Sequence, residues 1–270
     1  MQLPSPTWFV GCGNMAGAMV EGWRSAGVDL SQAVTIRPSG KPVEGVRTVT
    51  SLKEAGAAPR MIVLGFKPQQ LDDIVPELTP WITSKTIVVS LLAGTEIASL
   101  RRRFPKAVIV RTIPNLPVSV RRGVVPLYSE DEAQVRDELS ELFSVLGFSI
   151  WCEDESKLGV IGAAAGAGPA YVARFIEALA EAGEAQGLSQ AIAETVALET
   201  VLGTAWRART TGETMEELAQ RVASPRGTTE AGLAVLDRKN ALENLVASAI
   251  DAARRRGAEL AAEARGEQVA

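Results

Sequence analysis

The sequence predicts an α/β amino-terminal domain built on a parallel, doubly wound sheet, followed by an all-α carboxyl-terminal domain. Three observations carry this expectation. Through the first half of the 270 residues, short apolar runs alternate with stretches of helical periodicity, the pattern of repeated βαβ units. The first apolar run, Trp8-Phe9-Val10, passes straight into Gly11-Cys12-Gly13-Asn14-Met15-Ala16-Gly17, a glycine-rich turn from strand to helix. After Leu146-Gly147-Phe148-Ser149-Ile150-Trp151 the chain becomes rich in Ala, Leu and Glu and shows no convincing strand. The boundary is therefore expected near Cys152 to Asp154, giving domains at residues 1–152 and 153–270.

The elements follow in order. Apolar runs predict strands at Trp8–Val10, Val34–Ile36, Met61–Gly65, Thr86–Leu91, Val108–Thr112 and Val124–Tyr128. Apolar residues at helical spacing, such as Met19, Val20 and Trp23, predict helices near Ala16–Ala26, Gln69–Thr79 and Thr95–Phe104. In the second half, helices are expected to begin around Lys157, Ser189, Thr214 and Thr228. Gly166-Ala167-Gly168-Pro169 should break the first of these, and the last should run toward Arg265. No repeat and no low-complexity linker interrupts the chain, so the domains should be closely joined.

The first turn fits G-x-G-x-x-A. Gly11 makes the tight turn, Gly13 lets backbone approach a pyrophosphate, and Ala16 permits close packing of helix on strand. Because the motif lies in the first βα turn, it predicts a Rossmann-type dinucleotide site in preference to a bare turn. At the next strand end, an NAD-selective site would carry an acidic residue for the ribose 2′-hydroxyl, whereas this chain has Arg37-Pro38-Ser39-Gly40-Lys41. A guanidinium can hold a 2′-phosphate in bidentate fashion, so the cofactor is expected to be NADP(H), preferred over NAD(H). The plain alternative is that Arg37 and Lys41 are solvated loop charges.

Three further strand ends carry irregular turns of the kind that line a cofactor cleft. They are Gly65-Phe66-Lys67-Pro68-Gln69, Leu92-Ala93-Gly94-Thr95 and Arg111-Thr112-Ile113-Pro114-Asn115-Leu116-Pro117. Lys67, extended before Pro68, suits positioning better than catalysis. Asn115, held between two prolines, offers an amide suited to a cofactor ribose or carboxamide, with an ordinary Asn turn as the alternative. In the second half, Ser224-Pro225-Arg226-Gly227-Thr228-Thr229-Glu230-Ala231-Gly232-Leu233 reads as a helix start whose free N–H groups favour a carboxylate or phosphate. An ordinary Ser/Thr-capped helix is the alternative.

Composition excludes several chemistries. The chain has no histidine and two cysteines, Cys12 and Cys152, which form no ligand-spaced cluster, so no metal site and no Ser-His-Asp hydrolase is expected. A net charge of −4 argues against a nucleic-acid partner, and the runs Arg101–Arg103 and Arg254–Arg256 read as solvated helix ends. No apolar run in the sequence reads as a membrane span and the amino terminus lacks a secretory pattern, so no membrane partner and a cytoplasmic location are expected. The helices of the second half are apolar on more than one face, so a dimer at least is expected.

Together these residues resemble the pyrroline-5-carboxylate reductase family. Gly11-Cys12-Gly13-Asn14-Met15-Ala16, Lys67-Pro68-Gln69, Pro114-Asn115-Leu116-Pro117, Gly166-Ala167-Gly168-Pro169-Ala170-Tyr171 and Ser224-Pro225-Arg226-Gly227-Thr228-Thr229 occur in the family's order and at about its spacing. The resemblance implies a Rossmann-type domain, a helical dimerisation domain, and NADPH-dependent reduction of the cyclic imine 1-pyrroline-5-carboxylate to L-proline. It implies that Gly11, Gly13, Asn14, Met15, Arg37, Ser39, Gly65, Phe66, Lys67 and Pro68 hold the cofactor, joined by the Ala93-Gly94 and Pro114-Asn115 turns. It implies further that Ser224, Gly227, Thr228 and Thr229 take the imino-acid substrate, with Thr229 as the catalytic hydroxyl on the ring nitrogen. A protonated cyclic imine accepts hydride without a strong acid, which suits a site that has no histidine. The family's assemblies imply a homo-oligomer, a dimer or a decamer built from dimers.

The chain departs from the family at Leu116, Ala165, Ala167, Gly162 and Arg226, where hydroxyls or a glycine are usual. Arg226 is read either as an extra clamp on an acidic substrate or as a loop cation facing solvent. The remaining alternatives are a reductase of another imine or of a 2-oxo or 3-hydroxy acid, and a non-catalytic nucleotide-binding homologue.

Overall fold

The computed structural model describes residues 1–264, so Arg265 and the end of the predicted second domain lie outside the described residues. Contacts divide the chain into two compact units: residues 1–167 with the described residues from Ala252, and Gly168–Asp251. The sequence boundary at 152/153 marks the end of the last strand; the contact boundary falls one helix later.

The first unit is an eight-stranded sheet in the order β3-β2-β1-β4-β5-β6-β7-β8. Its strands are β1 Thr7–Val10, β2 Ala33–Ile36, β3 Arg47–Val49, β4 Met61–Leu64, β5 Ile87–Ser90, β6 Val108–Thr112, β7 Gly123–Tyr128 and β8 Gly147–Trp151. The first six form a parallel array in the Rossmann order. Strands β1, β4 and β5 are buried at every residue, which is why they read as unbroken apolar runs.

Period-two alternation sends Phe9 to one face and Trp8 and Val10 to the other. The Phe9 face is covered by α1 (Asn14–Ser25) and α4 (Glu132–Ser144), whose Trp23, Leu139, Leu142 and Phe143 are fully buried or nearly so. The Trp23 Nε1–H donates to the Leu142 carbonyl at 2.8 Å, and its ring lies 5.7 Å from that of Phe143. The opposite face is covered by α2 (Leu71–Leu78) and α3 (Ile97–Arg103). Helices on both faces make the sheet doubly wound.

Strand β7 runs antiparallel to β6, which corrects the expectation of a wholly parallel sheet. The link between them, a 3₁₀ turn at Leu116–Val120, is too short for a parallel crossover, which needs a dozen or more residues. Strands β3 and β8 and helix α4 are additions to the predicted set.

The expected break at Gly166–Pro169 is also corrected. Helix α5 (Glu155–Ile161) passes through a π-turn at Gly162–Gly166 and a single bent residue, Ala167, into α6 (Gly168–Ala185), so the interruption is a bend and not a loop between separate helices. Pro169 has no N–H for the carbonyl four residues before it, and that carbonyl, of Ala165, accepts instead from Asn115 Nδ2 at 3.0 Å. By length and composition, the 31-residue stretch Glu155–Ala185 is apolar enough to cross a membrane, which corrects the expectation that no stretch of the chain reaches that threshold.

In the second unit, α6 pairs with α7 (Gln190–Thr211), followed by α8 (Met215–Val222), α9 (Thr228–Leu236) and the start of α10 (Ala241–Ala264). The predicted single helix from Thr228 onward is two helices, because Lys239 and Asn240 adopt left-handed backbone at φ 58° and 55°. The packed cluster of this unit is small, Ala180, Ala193 and Ala197 with Ile176 against them, and Ala208 and Leu218 are buried apart from it. Phe175, Val196, Leu202 and Trp206 stand exposed.

Candidate functional site

In the first unit the strand order reverses at β1, which lies between β2 and β4, and ligands of such sheets bind in the crevice beyond the strand ends there. Gly11 follows β1 with φ 70°, and its N–H donates to the Ile36 carbonyl at 3.0 Å. A Cβ at Gly11 would lie 2.9 Å from Phe66 Cβ and 3.0 Å from Gly65 backbone. A Cβ at Gly65 would lie 2.5 Å from the Gly11 carbonyl oxygen and 2.9 Å from Ala16 Cβ. Gly11, Gly65 and Ala16 are therefore small because the β1 turn, the β4 turn and α1 touch.

Gly13 is different. A Cβ there would meet only the Gly65 carbonyl oxygen, at 3.7 Å, so nothing among the described residues requires a glycine. The side chain is missing where the fingerprint brings backbone against a pyrophosphate, and this geometry fits a dinucleotide. Helix α1 begins at Asn14 with no side-chain cap and no acidic residue in its first turn, which leaves its N–H groups for an anion.

At the end of β2, the Arg37 N–H donates to Val49 and its Nη1 to the Lys41 carbonyl at 3.1 Å, while Ser39 Oγ accepts from the Lys41 N–H at 3.3 Å. This tight turn gathers Arg37, Ser39 and Lys41. Burial pushes the Cys12 thiol up to about 11, with the Arg37 charge pulling the other way, so the guanidinium is felt at the glycine turn. The β4 turn keeps Phe66 half-buried and Lys67 exposed, with extended backbone before Pro68 and its N–H donating to Gln70 Oε1 at 3.3 Å.

Two predicted cofactor residues have neighbours inside the protein. A Cβ at Gly94, whose φ is 72°, would lie 2.9 Å from the Leu260 carbonyl carbon and 3.0 Å from the Ala261 nitrogen, so α10 accounts for this glycine; Ala93 beside it is exposed. Pro114 and Asn115 are buried. The Asn115 Oδ1 accepts from the Val124 N–H at 2.7 Å and its Nδ2 donates to Ala165. This corrects the expectation of an amide presented to a ribose or carboxamide: the side chain braces β7 and the π-turn.

In the second unit, Ser224 to Thr229 lie on one turn of chain. The Gly227 N–H donates to the Ser224 carbonyl at 2.9 Å, and a Cβ at Gly227 would lie 2.3 Å from Ser224 Oγ. Gly227 caps α9 without a side-chain hydrogen bond, with Thr228 exposed and Thr229 half-buried in the first turn. Arg226 is exposed, with left-handed backbone at φ 59°, and its N–H donates to the Glu230 carboxylate.

Glu230 was not among the predicted residues, although a Glu three positions after a helix cap is a signal for this contact. Arg111 and Glu155 were missed as well. Arg111 is buried in β6, and its Nη1 donates to Glu155 Oε1, which also accepts the Ile97 N–H at 2.7 Å. A lone arginine inside Val108–Thr112 was the available signal.

Residues 155–260 match the family model for pyrroline-5-carboxylate reductase dimerisation, and residues 8–94 match that of coenzyme F420-dependent NADP oxidoreductases. A pyrroline-5-carboxylate reductase of Pseudomonas aeruginosa is 35% identical over 94% of this chain and 96% of its own length. One from Pisum sativum is 33% identical over 93% of this chain and 94% of its own. Among solved structures, a Coxiella burnetii pyrroline-5-carboxylate reductase superposes with a TM-score of 0.86 at 32% identity, covering 95% of this chain and 98% of that one. The NADP-bound Plasmodium falciparum pyrroline carboxylate reductase has a TM-score of 0.86 at 25% identity, covering 97% of this chain and all of its own. With relatives this similar over nearly its whole length, the chain belongs to the pyrroline-5-carboxylate reductase family.

Proposed function

We propose that this protein catalyses the NADPH-dependent reduction of 1-pyrroline-5-carboxylate to L-proline. The observation that carries the proposal is the glycine turn at the sheet's reversal point, where Gly13 leaves room that no group among the described residues needs. When bound, NADPH supplies the hydride for the C=N carbon. The α1 N-terminal N–H groups with Gly11, Asn14 and Met15 would hold the pyrophosphate, and Arg37 with Ser39 the 2′-phosphate, which is the ground for preferring NADP(H) over NAD(H). The Gly65–Pro68, Ala93-Gly94 and Pro114-Asn115 turns would border the rest of the cofactor, the last two through backbone.

At the start of α9, Ser224, Gly227 and Thr228 would take the substrate carboxylate, with the Thr229 hydroxyl accepting from the ring N–H. The substrate iminium is electrophilic enough to need orientation more than proton transfer, so the absence of histidine is no obstacle. The exposed Arg226, tied by its backbone to Glu230, supports a role in shaping the turn rather than in gripping substrate.

The small core of the helical unit supports a dimer as the working form, and a decamer built from dimers, in the cytoplasm, completes the proposal. The test is spectrophotometric. Loss of NADPH absorbance with pyrroline-5-carboxylate supports the reductase; oxidation with other imines only, or NADPH binding without turnover, refutes it.

A further inference from the structure

We infer that Glu155 is a positioning residue for the cofactor turns, acting through Arg111 and the Ile97 amide; this rests on reading the first unit as an NADP(H) site. One carboxylate oxygen accepts from two separate elements. Ile97 N–H opens α3 three residues after Gly94, and Arg111 lies in β6 three residues before Pro114. A single atom therefore ties together the chain leaving the β5 turn and the chain entering the β6 turn.

Stability alone gives little reason for this pair. The Arg111 side chain is only 8% exposed in a strand otherwise built for burial, and removing two charges from water costs about what their attraction returns. An apolar residue at 111 would suit the sheet as well. What the pair adds is registry between two turns and the helix that carries Glu155.

That helix is held a second time. Ten residues on, the Ala165 carbonyl left free by Pro169 accepts from Asn115, the residue after Pro114. Over about 15 Å of helix, the first residue of the dimerisation match and the π-turn are both fastened to segments flanking the proposed cofactor turns. Replacing the Glu155 carboxylate by a neutral amide would leave the buried Arg111 charge uncompensated and weaken the acceptor of the Ile97 N–H, so that both turns would lose the strength of their shared anchor.

The test uses the full chain and its tryptophan fluorescence to titrate NADP+. Glu155→Gln and Arg111→Met are each expected to weaken NADP+ binding about tenfold, a coupling of ordinary size. The double variant is expected to bind no worse than the weaker single one, because both remove the same contact. With saturating NADPH and pyrroline-5-carboxylate, kcat is expected to stay within about twofold of the parent.

Unchanged affinity in Glu155→Gln, additive losses in the double variant, or a loss confined to kcat would overturn the assignment. A second measurement needs no variant. By reciprocity, saturating NADP+ must slow hydrogen exchange at the Ile97 amide of the parent protein, and unaltered exchange there would overturn it too. A parent that binds no NADP+ sinks the cofactor reading and this inference together, whereas a parent that binds and a Glu155→Gln variant that binds equally well sinks only the positioning role.

Discussion

Gly11 and Gly13 are separated by one residue, yet substituting alanine for each should have opposite consequences. At Gly11 the backbone is left-handed, which costs a side-chain-bearing residue about 1–2 kcal/mol. The new Cβ would also press to 2.9–3.0 Å on Phe66 and Gly65, where backbone cannot give way cheaply, adding about 1–3 kcal/mol of overpacking. Gly11→Ala should therefore lose roughly 2–5 kcal/mol of stability and cofactor binding with it. At Gly13 the backbone is extended, φ −77° and ψ −164°, and the Cβ meets only one oxygen at 3.7 Å.

The poorer helix cap in Gly13→Ala, about 0.5–1 kcal/mol, is offset by the lower entropy of its unfolded chain, about 0.4–1 kcal/mol. Urea denaturation should place it within about 1 kcal/mol of the parent. Its added methyl would occupy the approach to the pyrophosphate, and NADP+ titration should show at least a tenfold loss, about 1.4 kcal/mol or more. A Gly13→Ala variant that folds normally and binds NADP+ as tightly as the parent would refute the reasoning that the bare position is kept for a ligand.

Arg37→Ala should weaken NADP+ binding by about tenfold or more while leaving NAD+ nearly unchanged, as equilibrium titration of the two cofactors would reveal; equal losses would remove Arg37 from the 2′-phosphate. Cys12 titrates at about 11 in the folded chain against 9.0 for an ordinary thiol, because burial disfavours the thiolate. At pH 8 roughly one Cys12 in a thousand is ionised, against roughly one in ten for a free thiol, so iodoacetamide should spare it until the chain is unfolded. Because the folded value is the raised one, its contribution is complete below about 9 and falls between about 9 and about 11 as the unfolded thiol ionises first, a loss on the order of 2–3 kcal/mol that Cys12→Ala should abolish in alkaline denaturation. Arg226→Gly relieves left-handed strain of about 1–2 kcal/mol but gains unfolded-state entropy of about 0.4–1 kcal/mol, so it should melt at or slightly above the parent with an unchanged Michaelis constant for the imine.

The parallel core was legible because a strand buried on both faces must be apolar throughout, as β1, β4 and β5 are. Strand β3 has three residues and buries one, and β8 at the sheet edge leaves Phe148 and Ile150 exposed, so neither yields a pattern that separates it from a loop. Strand direction is not written in composition, which hid the reversal at β7. Helix α4 was readable from Val135, Leu139, Leu142 and Phe143, though its charged surroundings masked the stripe.

The π-turn was illegible for another reason: Gly166–Pro169 breaks a helix unless something donates to the carbonyl that the proline leaves free, and the donor, Asn115, lies fifty residues from Ala165. The same distance hid the role of Asn115 itself. A motif identifies which residues are unusual; only the fold decides whether an amide faces a ligand or a carbonyl.

The helical unit shows why hydropathy misleads here. Glu155–Ala185 has the length and composition of a membrane span, and the second unit, which holds its later part, packs only a small cluster of three alanines while Phe175, Val196, Leu202 and Trp206 stay exposed. Exposed apolar side chains gathered on one unit mark a surface that hydrocarbon or a second protein surface can cover. The rest of the unit decides between them. Helix α7 carries Glu194, Glu199, Arg207 and Arg209 along the same length as its apolar residues, and α8 is a polar helix closed by the Thr214–Glu217 box. Lipid around α7 would strip water from these charges, a cost that a protein surface covering only part of the helix avoids. The match of residues 155–260 to a dimerisation domain agrees with that choice.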